Sequence, residues 1–140
     1  MIVTALCGFA TVALAQNVAV IEQRQQIYKG FGEATKPIGP MLKGDVPFDA
    51  AVVKKALSTY VEGTKKLPDL FPDDTKTGHD TEALPAIWQK KDEFVGRFKK
   101  LGDDAQAAMT TITDQASFVA TMPKVVGDCA ACHKEFRAKK

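Results

Sequence analysis

Apolar residues recur in steps of three and four along four stretches of the chain, with turn chemistry between them. In the first stretch, Asn17 to Lys43, one helical face carries Ile21, Tyr28, Phe31, Thr35, Ile38 and Leu42. Pro37 and Pro40 fall in its last turns and predict a kink or an early end; Gly44 predicts its stop. Pro47-Phe48-Asp49 opens the second stretch, with Asp49 as N-cap. Val53, Ala56, Tyr60, Thr64 and Leu67 form its seam, and Pro68 closes it. The third begins at Pro85, a residue suited to a first helical turn, and aligns Ile87, Phe94, Phe98, Leu101, Ala105 and Ala108, with Gly102 leaving its end open. The fourth begins near Asp114, with Thr113 as its cap, and aligns Phe118, Met122, Val125, Cys129, Cys132 and Phe136. Pro123 predicts a disturbance one to two turns before Cys129. Residues 68–84 read as a loop, with Leu70 and Phe71 folding back onto the bundle. Four narrow stripes with mostly short connections predict an all-α, antiparallel four-helix bundle.

The segment before these stretches changes the domain picture. Residues 1–15 are apolar and uncharged and end in Ala13-Leu14-Ala15, a small-x-small pattern that predicts a secretory signal peptide, although no basic residue precedes the apolar run. The run is shorter than the roughly 20 residues that a membrane helix needs, so no membrane anchor is expected. Cys7 would leave with it, and the large Leu6 before it argues against a lipid-bearing cysteine. Residues 16–140 then form one domain of ordinary size. A formal net charge of +2, without a long run of one sign, gives no basis for a nucleic-acid partner.

Chemistry concentrates in Cys129-Ala130-Ala131-Cys132-His133, a C-x-x-C-H pentapeptide on the last helix. Residues three and four apart share a helical face, and the histidine follows directly. This arrangement suits one covalently attached haem c. Each thiol adds to a vinyl group, and the imidazole of His133 reaches the iron from the same side. A structural zinc site would take four ligands, and outside the leader the only other Cys or His is His79, in the polar loop. A thioredoxin-like C-x-x-C follows a strand, and no alternating pattern precedes Cys129. Two merely buried cysteines would leave His133 unexplained. The seam position of Cys129 and Cys132 puts the haem in the bundle core.

Taken together, these features resemble cytochrome c′ and its relatives, the class II c-type cytochromes. The resemblance rests on the C-terminal Cys129, Cys132, His133 and Arg137, on Arg24-Gln25 in the first helix, on Met41-Leu42-Lys43-Gly44 and on Pro85-Ala86-Ile87-Trp88. It implies a periplasmic bundle, usually a homodimer joined through its first two helices. By the same resemblance His133 is the axial iron ligand, and Arg24 and Gln25 lie near the haem propionates. Glu82 takes the place of an acidic residue that approaches the haem, and Arg137 lies on the proximal side.

The family divides at the position four residues after that arginine, here Tyr28. Methionine there implies a six-coordinate, low-spin electron carrier. A bulky apolar or aromatic residue implies five-coordinate, high-spin iron behind a crowded distal face, open to small diatomic gases such as nitric oxide and carbon monoxide. Tyrosine binds haem iron as the anion. With a reference pKa of about 10, reaching that anion at pH 7 costs about 4 kcal/mol, so Tyr28 is expected to close the distal face without ligating. Electron transfer with periplasmic redox partner proteins is the second reading, with Lys124, Lys134, Arg137, Lys139 and Lys140 as a steering cluster. An enzyme would need a distal acid–base group; His79 is the one free histidine, and its loop placement points to a solvated side chain.

Overall fold

The computed structural model describes residues 9–139, with side chains from residue 17 onward. Six α-helices follow one another: α1 (Phe9–Thr35), α2 (Ile38–Lys43), α3 (Ala50–Lys66), α4 (Ala86–Gln89), α5 (Lys91–Thr111) and α6 (Gln115–Phe136). The long helices α1, α3, α5 and α6 make the four-helix bundle. Of the predicted leader, residues 1–8 lie outside the described residues, and the backbone beyond them continues into α1.

The prolines end the first helix early. After Thr35 the chain turns, and α2 restarts with its own register. That reset corrects one seam position: Met41 and Ile38 are buried, while Leu42 is only half-buried. Gly44 closes α2 in the left-handed region at φ 79°, a conformation that costs glycine nothing. Asp49 caps α3 as expected, its Oδ1 accepting from the N–H groups of Ala51 and Val52 at 2.9 and 3.1 Å.

The third stretch is not one helix. It breaks at Lys90, whose backbone leaves the helical region (φ −125°, ψ 48°), between α4 and α5. Side-chain bonds fix the flanks: the Trp88 indole donates to the carbonyls of Phe71 and Pro72, and Lys91 Nζ donates to the Phe71 carbonyl at 2.9 Å. Gly102 does not end α5. It lets α3 approach, since a Cβ there would meet Thr64 Oγ1 at 2.7 Å. Gly63 does the same for α1: its Cβ would stand 2.3 Å from Phe31 Cε1.

The cap of α6 is Asp114, one residue beyond the predicted Thr113. Its Oδ1 accepts from Ser117 N–H at 2.8 Å, and Ser117 Oγ accepts from Asp114 N–H at 3.0 Å, a reciprocal capping box. Pro123 leaves α6 unbroken. It sits on the solvent face, and the carbonyl that it deprives belongs to Val119, a 45% exposed residue.

Helix packing leaves one seam open. α3 packs on α1 and on α5, and α5 packs on α6, whereas α1 and α6 scarcely touch among the described residues. The 67–84 segment crosses this side, tightened by short 3₁₀ turns at Leu67–Leu70 and Asp73–Thr75, with Leu70 and Phe71 buried as the sequence implies.

Candidate functional site

A cavity of about 590 Å³ fills the gap between α1 and α6. Its volume lies in the range of roughly 300–1,000 Å³ typical of cofactor sites. All eight residues singled out from the sequence line it: Arg24, Gln25, Tyr28, Glu82, Cys129, Cys132, His133 and Arg137. Residues more than a hundred positions apart therefore share one chamber.

Aromatic rings furnish its walls. From α1, the Tyr28 and Phe31 rings meet edge to face at 6.1 Å, and Phe31 rests in turn on Tyr60 of α3 at 5.5 Å. From the other elements come Phe71, Phe94, Phe98 and Phe136; Phe94 lies 4.7 Å from both Phe71 and Phe98 and 5.1 Å from Phe136. Such edge-to-face packing fixes ring positions as well as burying area. An apolar slot between rigid aromatic walls fits a flat macrocycle.

Helical spacing delivers the pentapeptide to this slot. Cys129 and Cys132 are both unpaired thiols on the α6 wall. Burial pushes the Cys129 thiol up and the Cys132 thiol up to about 11, so both are neutral thiols near pH 7. Burial pushes His133 the other way, below the usual imidazole range, with the Arg137 charge adding to the effect and Glu82 opposing it. A neutral imidazole is the form that binds a metal. Among the described residues no group of three or more His, Cys, Asp or Glu is placed to hold a metal ion by itself.

Arg24 is more deeply placed than its sequence role suggests. It is 2% exposed, and its two terminal nitrogens donate four bonds: to the carbonyls of Leu70 and Thr75 and to the hydroxyls of Thr75 and Thr81, at 2.8–3.1 Å. It also stacks 4.5 Å from the Phe71 ring centroid. Arg24 thus anchors the 67–84 segment to α1 while lining the cavity. Gln25 Nε2 donates to the His79 carbonyl at 3.1 Å, and His79 Nε2 pairs with Glu22 at 3.2 Å on the surface. The free histidine is therefore held outside the chamber, as a solvated loop residue.

Glu82 and Arg137 close the chamber together, joined by an ion pair at 2.6 Å. Burial raises the Tyr28 hydroxyl well above the ordinary tyrosine range, which makes the phenolate still harder to form. The proposed steering cluster is partly spent. Lys124 pairs with Asp104 at 2.9 Å and Arg137 with Glu82, while Lys140 lies outside the described residues. Arg97 of α5 and Asp128 of α6 are among the cavity residues that escaped the sequence reading. Asp128 directly precedes Cys129, but an aspartate on a polar-looking step carries no periodic signal of burial.

Fold and site together define a covalent haem-binding four-helix bundle. Comparison with known proteins gives the same class. The family model for cytochrome c′ matches residues 19–137. A cytochrome c′ from Rhodopseudomonas palustris is 54% identical over 128 residues, covering 91% of this chain and 87% of the relative. A solved structure of cytochrome c′ from the same organism superposes with a TM-score of 0.84 at 55% identity, over 86% of this chain and 97% of that one. A cytochrome c-556 from Agrobacterium fabrum is 37% identical over 141 residues, covering 100% of this chain and 92% of the relative. The chain belongs to the cytochrome c′ family, and it is a c-type haem protein.

Proposed function

We propose that the protein is a periplasmic, five-coordinate haem protein that binds small gases, chiefly nitric oxide and carbon monoxide, and passes single electrons, without enzymatic turnover. Cys129 and Cys132 would hold the haem by thioether bonds, and His133 would ligate its iron. The haem iron supplies gas ligation and one-electron redox chemistry. One observation carries the coordination state: among the described residues lining the cavity, His133 is the only imidazole and no methionine is present. Met41 and Met122 are buried elsewhere in the core. Tyr28 holds the position that decides ligation in this family, braced against Phe31 and disinclined to ionise.

Supporting roles follow from the same placement. Arg24 and Gln25 line the cavity where they meet the loop and provide the polar edge expected beside the propionates. Glu82 and Arg137 stand next to His133 in charge, one raising and one lowering its proton affinity, and so tune the proximal side. Residues 1–15 act as the export signal, and α1 and α3 form the homodimer face.

Optical spectra of the ferric and ferrous forms, with and without carbon monoxide, test this reading. High-spin bands support it; low-spin bands in both oxidation states would favour the six-coordinate electron carrier suggested by kinship with proteins named cytochrome c-556. Truncating the gate with Tyr28→Ala is expected to tighten carbon monoxide binding. Unchanged affinity removes Tyr28 as the gate.

A further inference from the structure

A carboxyl group stands in the wall of the haem chamber with half of its hydrogen bonding unmet. Asp128 lines the cavity directly before Cys129, and its side chain is only 10% exposed. Its Oδ1 accepts from Lys100 Nζ at 2.7 Å, while Oδ2 is buried without a partner. A buried carboxylate oxygen without a donor is costly, and a proton on it removes the charge.

The neighbours arrange a route for that proton. From α5, Lys100 also pairs with Asp104 at 2.6 Å, and Asp104 is bound a second time by Lys124 of α6 at 2.9 Å. Cys129 follows Asp128 directly on α6. Lys100 and Lys124 reach solvent, whereas Asp104 is only 16% exposed. The two carboxyls are driven apart. The two lysines hold Asp104 down at about 2, and burial raises Asp128. Two carboxyls pushed in opposite directions at one site mark the one that carries the proton.

We propose that Asp128 is a redox-linked proton site, which takes up one proton when the haem accepts one electron. This rests on the one-electron cycling proposed above. The balance is simple. An electron enters from a one-electron donor, such as a reduced partner protein or dithionite. Asp128 carboxylate then takes one proton from hydronium at the solvent-facing Lys100–Asp104 edge; the hydronium O–H bond breaks, releasing water, and the carboxyl O–H bond forms. Reduction removes one positive charge from the haem, which makes the nearby carboxylate more basic. By linkage, protonated Asp128 favours the reduced state, so the midpoint potential falls as pH rises through its titration range.

Potentiometric titration of the holoprotein across the acidic to neutral range tests this, with wild type beside Asp128→Asn and Lys100→Met. In wild type the potential falls with pH and then levels. In Asp128→Asn that fall disappears, and above the range the variant has the higher potential. Lys100→Met removes the ammonium that favours the carboxylate, so the fall moves to higher pH. Reduced-minus-oxidised infrared spectra gain a protonated-carboxyl band in wild type that is missing from Asp128→Asn. Wild type and Asp128→Asn potentials running parallel at every pH overturn the proposal. Should Asp128→Asn fail to fold, a window unmoved by Lys100→Met overturns it equally. The optical spectrum of each variant reports haem attachment and spin state separately, so failure of the haem reading is not confused with failure here.

Discussion

Arg137 Nε donates to Glu82 Oε2 at 2.6 Å, joining residues 55 positions apart. Backbone bonds flank the pair: Leu84 N–H to the Phe136 carbonyl at 3.1 Å and Ala138 N–H to the Glu82 carbonyl at 2.8 Å. Two residues assigned separately to the haem surroundings are therefore one latch, tying the end of α6 to the crossing segment. Glu82 and Arg137 are 33% and 44% exposed, and pairs so wet are worth little, while the backbone bonds survive substitution. Glu82→Gln is thus expected to cost less than about 1 kcal/mol, shrinking further in high salt. Urea denaturation of the holoprotein at two ionic strengths measures both; a larger, salt-independent loss means that the carboxylate does more than latch.

Arg24 is the opposite case. Its guanidinium is fully buried and carries four bonds to the crossing segment. Removing it strands the carbonyls of Leu70 and Thr75 and deletes the contact over Phe71. Arg24→Met is expected to cost about 3 kcal/mol or more and to loosen the chamber wall. Hydrogen exchange should show lost protection at residues 70–82 before that of α3 or α5. Uniform loss across the bundle, or none, would argue against a local anchor.

The bundle and its caps at Asp49 and Gly44 were legible because each has a local signature, as does the pentapeptide Cys129 to His133, whereas Arg24, Gln25, Tyr28, Glu82 and Arg137 were expected only through the family resemblance. Apolar spacing marks helices, and a contiguous motif marks the attachment site. What escaped depends on tertiary contacts. The break at Lys90 is held by the bonds of Trp88 and Lys91 to a distant loop. The burial of Arg24 reflects four partners 46 to 57 residues away. Asp128 lies inside because α5 supplies Lys100 to meet it. A charged residue buried by partners elsewhere in the chain looks, in sequence, like a surface residue.

Asp104 makes stability depend on acid in a defined direction. Its folded pKa is lowered from 3.8 to about 2, first by Lys100 and then by Lys124. A depressed carboxyl contributes stability that is fully present above its unfolded value and is lost as pH falls through the folded one. Asp104→Asn should therefore weaken the protein at neutral pH, and the difference from wild type should close between about pH 4 and pH 2. Melting temperatures of the two proteins over that span give the answer. A gap that is constant with pH assigns the effect to packing instead.

Two glycines separate helix propensity from helix contact. Gly96 is exposed on α5, and a Cβ there meets nothing within 4 Å. Gly96→Ala should stabilise by about 0.5–1 kcal/mol, since alanine loses less backbone freedom in a helix. Gly63 has the same helical surroundings on α3, but its Cβ would lie 2.3 Å from Phe31 Cε1 and 2.9 Å from Ile27 Cγ2. One of these must move, and Phe31 is the ring that braces Tyr28. Gly63→Ala is expected to cost about 1–3 kcal/mol despite its better propensity. Because Phe31 displaces Tyr28, it should also change carbon monoxide affinity, whereas Gly96→Ala should leave that affinity unchanged. A Gly63→Ala protein that is destabilised yet binds carbon monoxide as wild type does would show that the Phe31 contact supports the fold without controlling the gate.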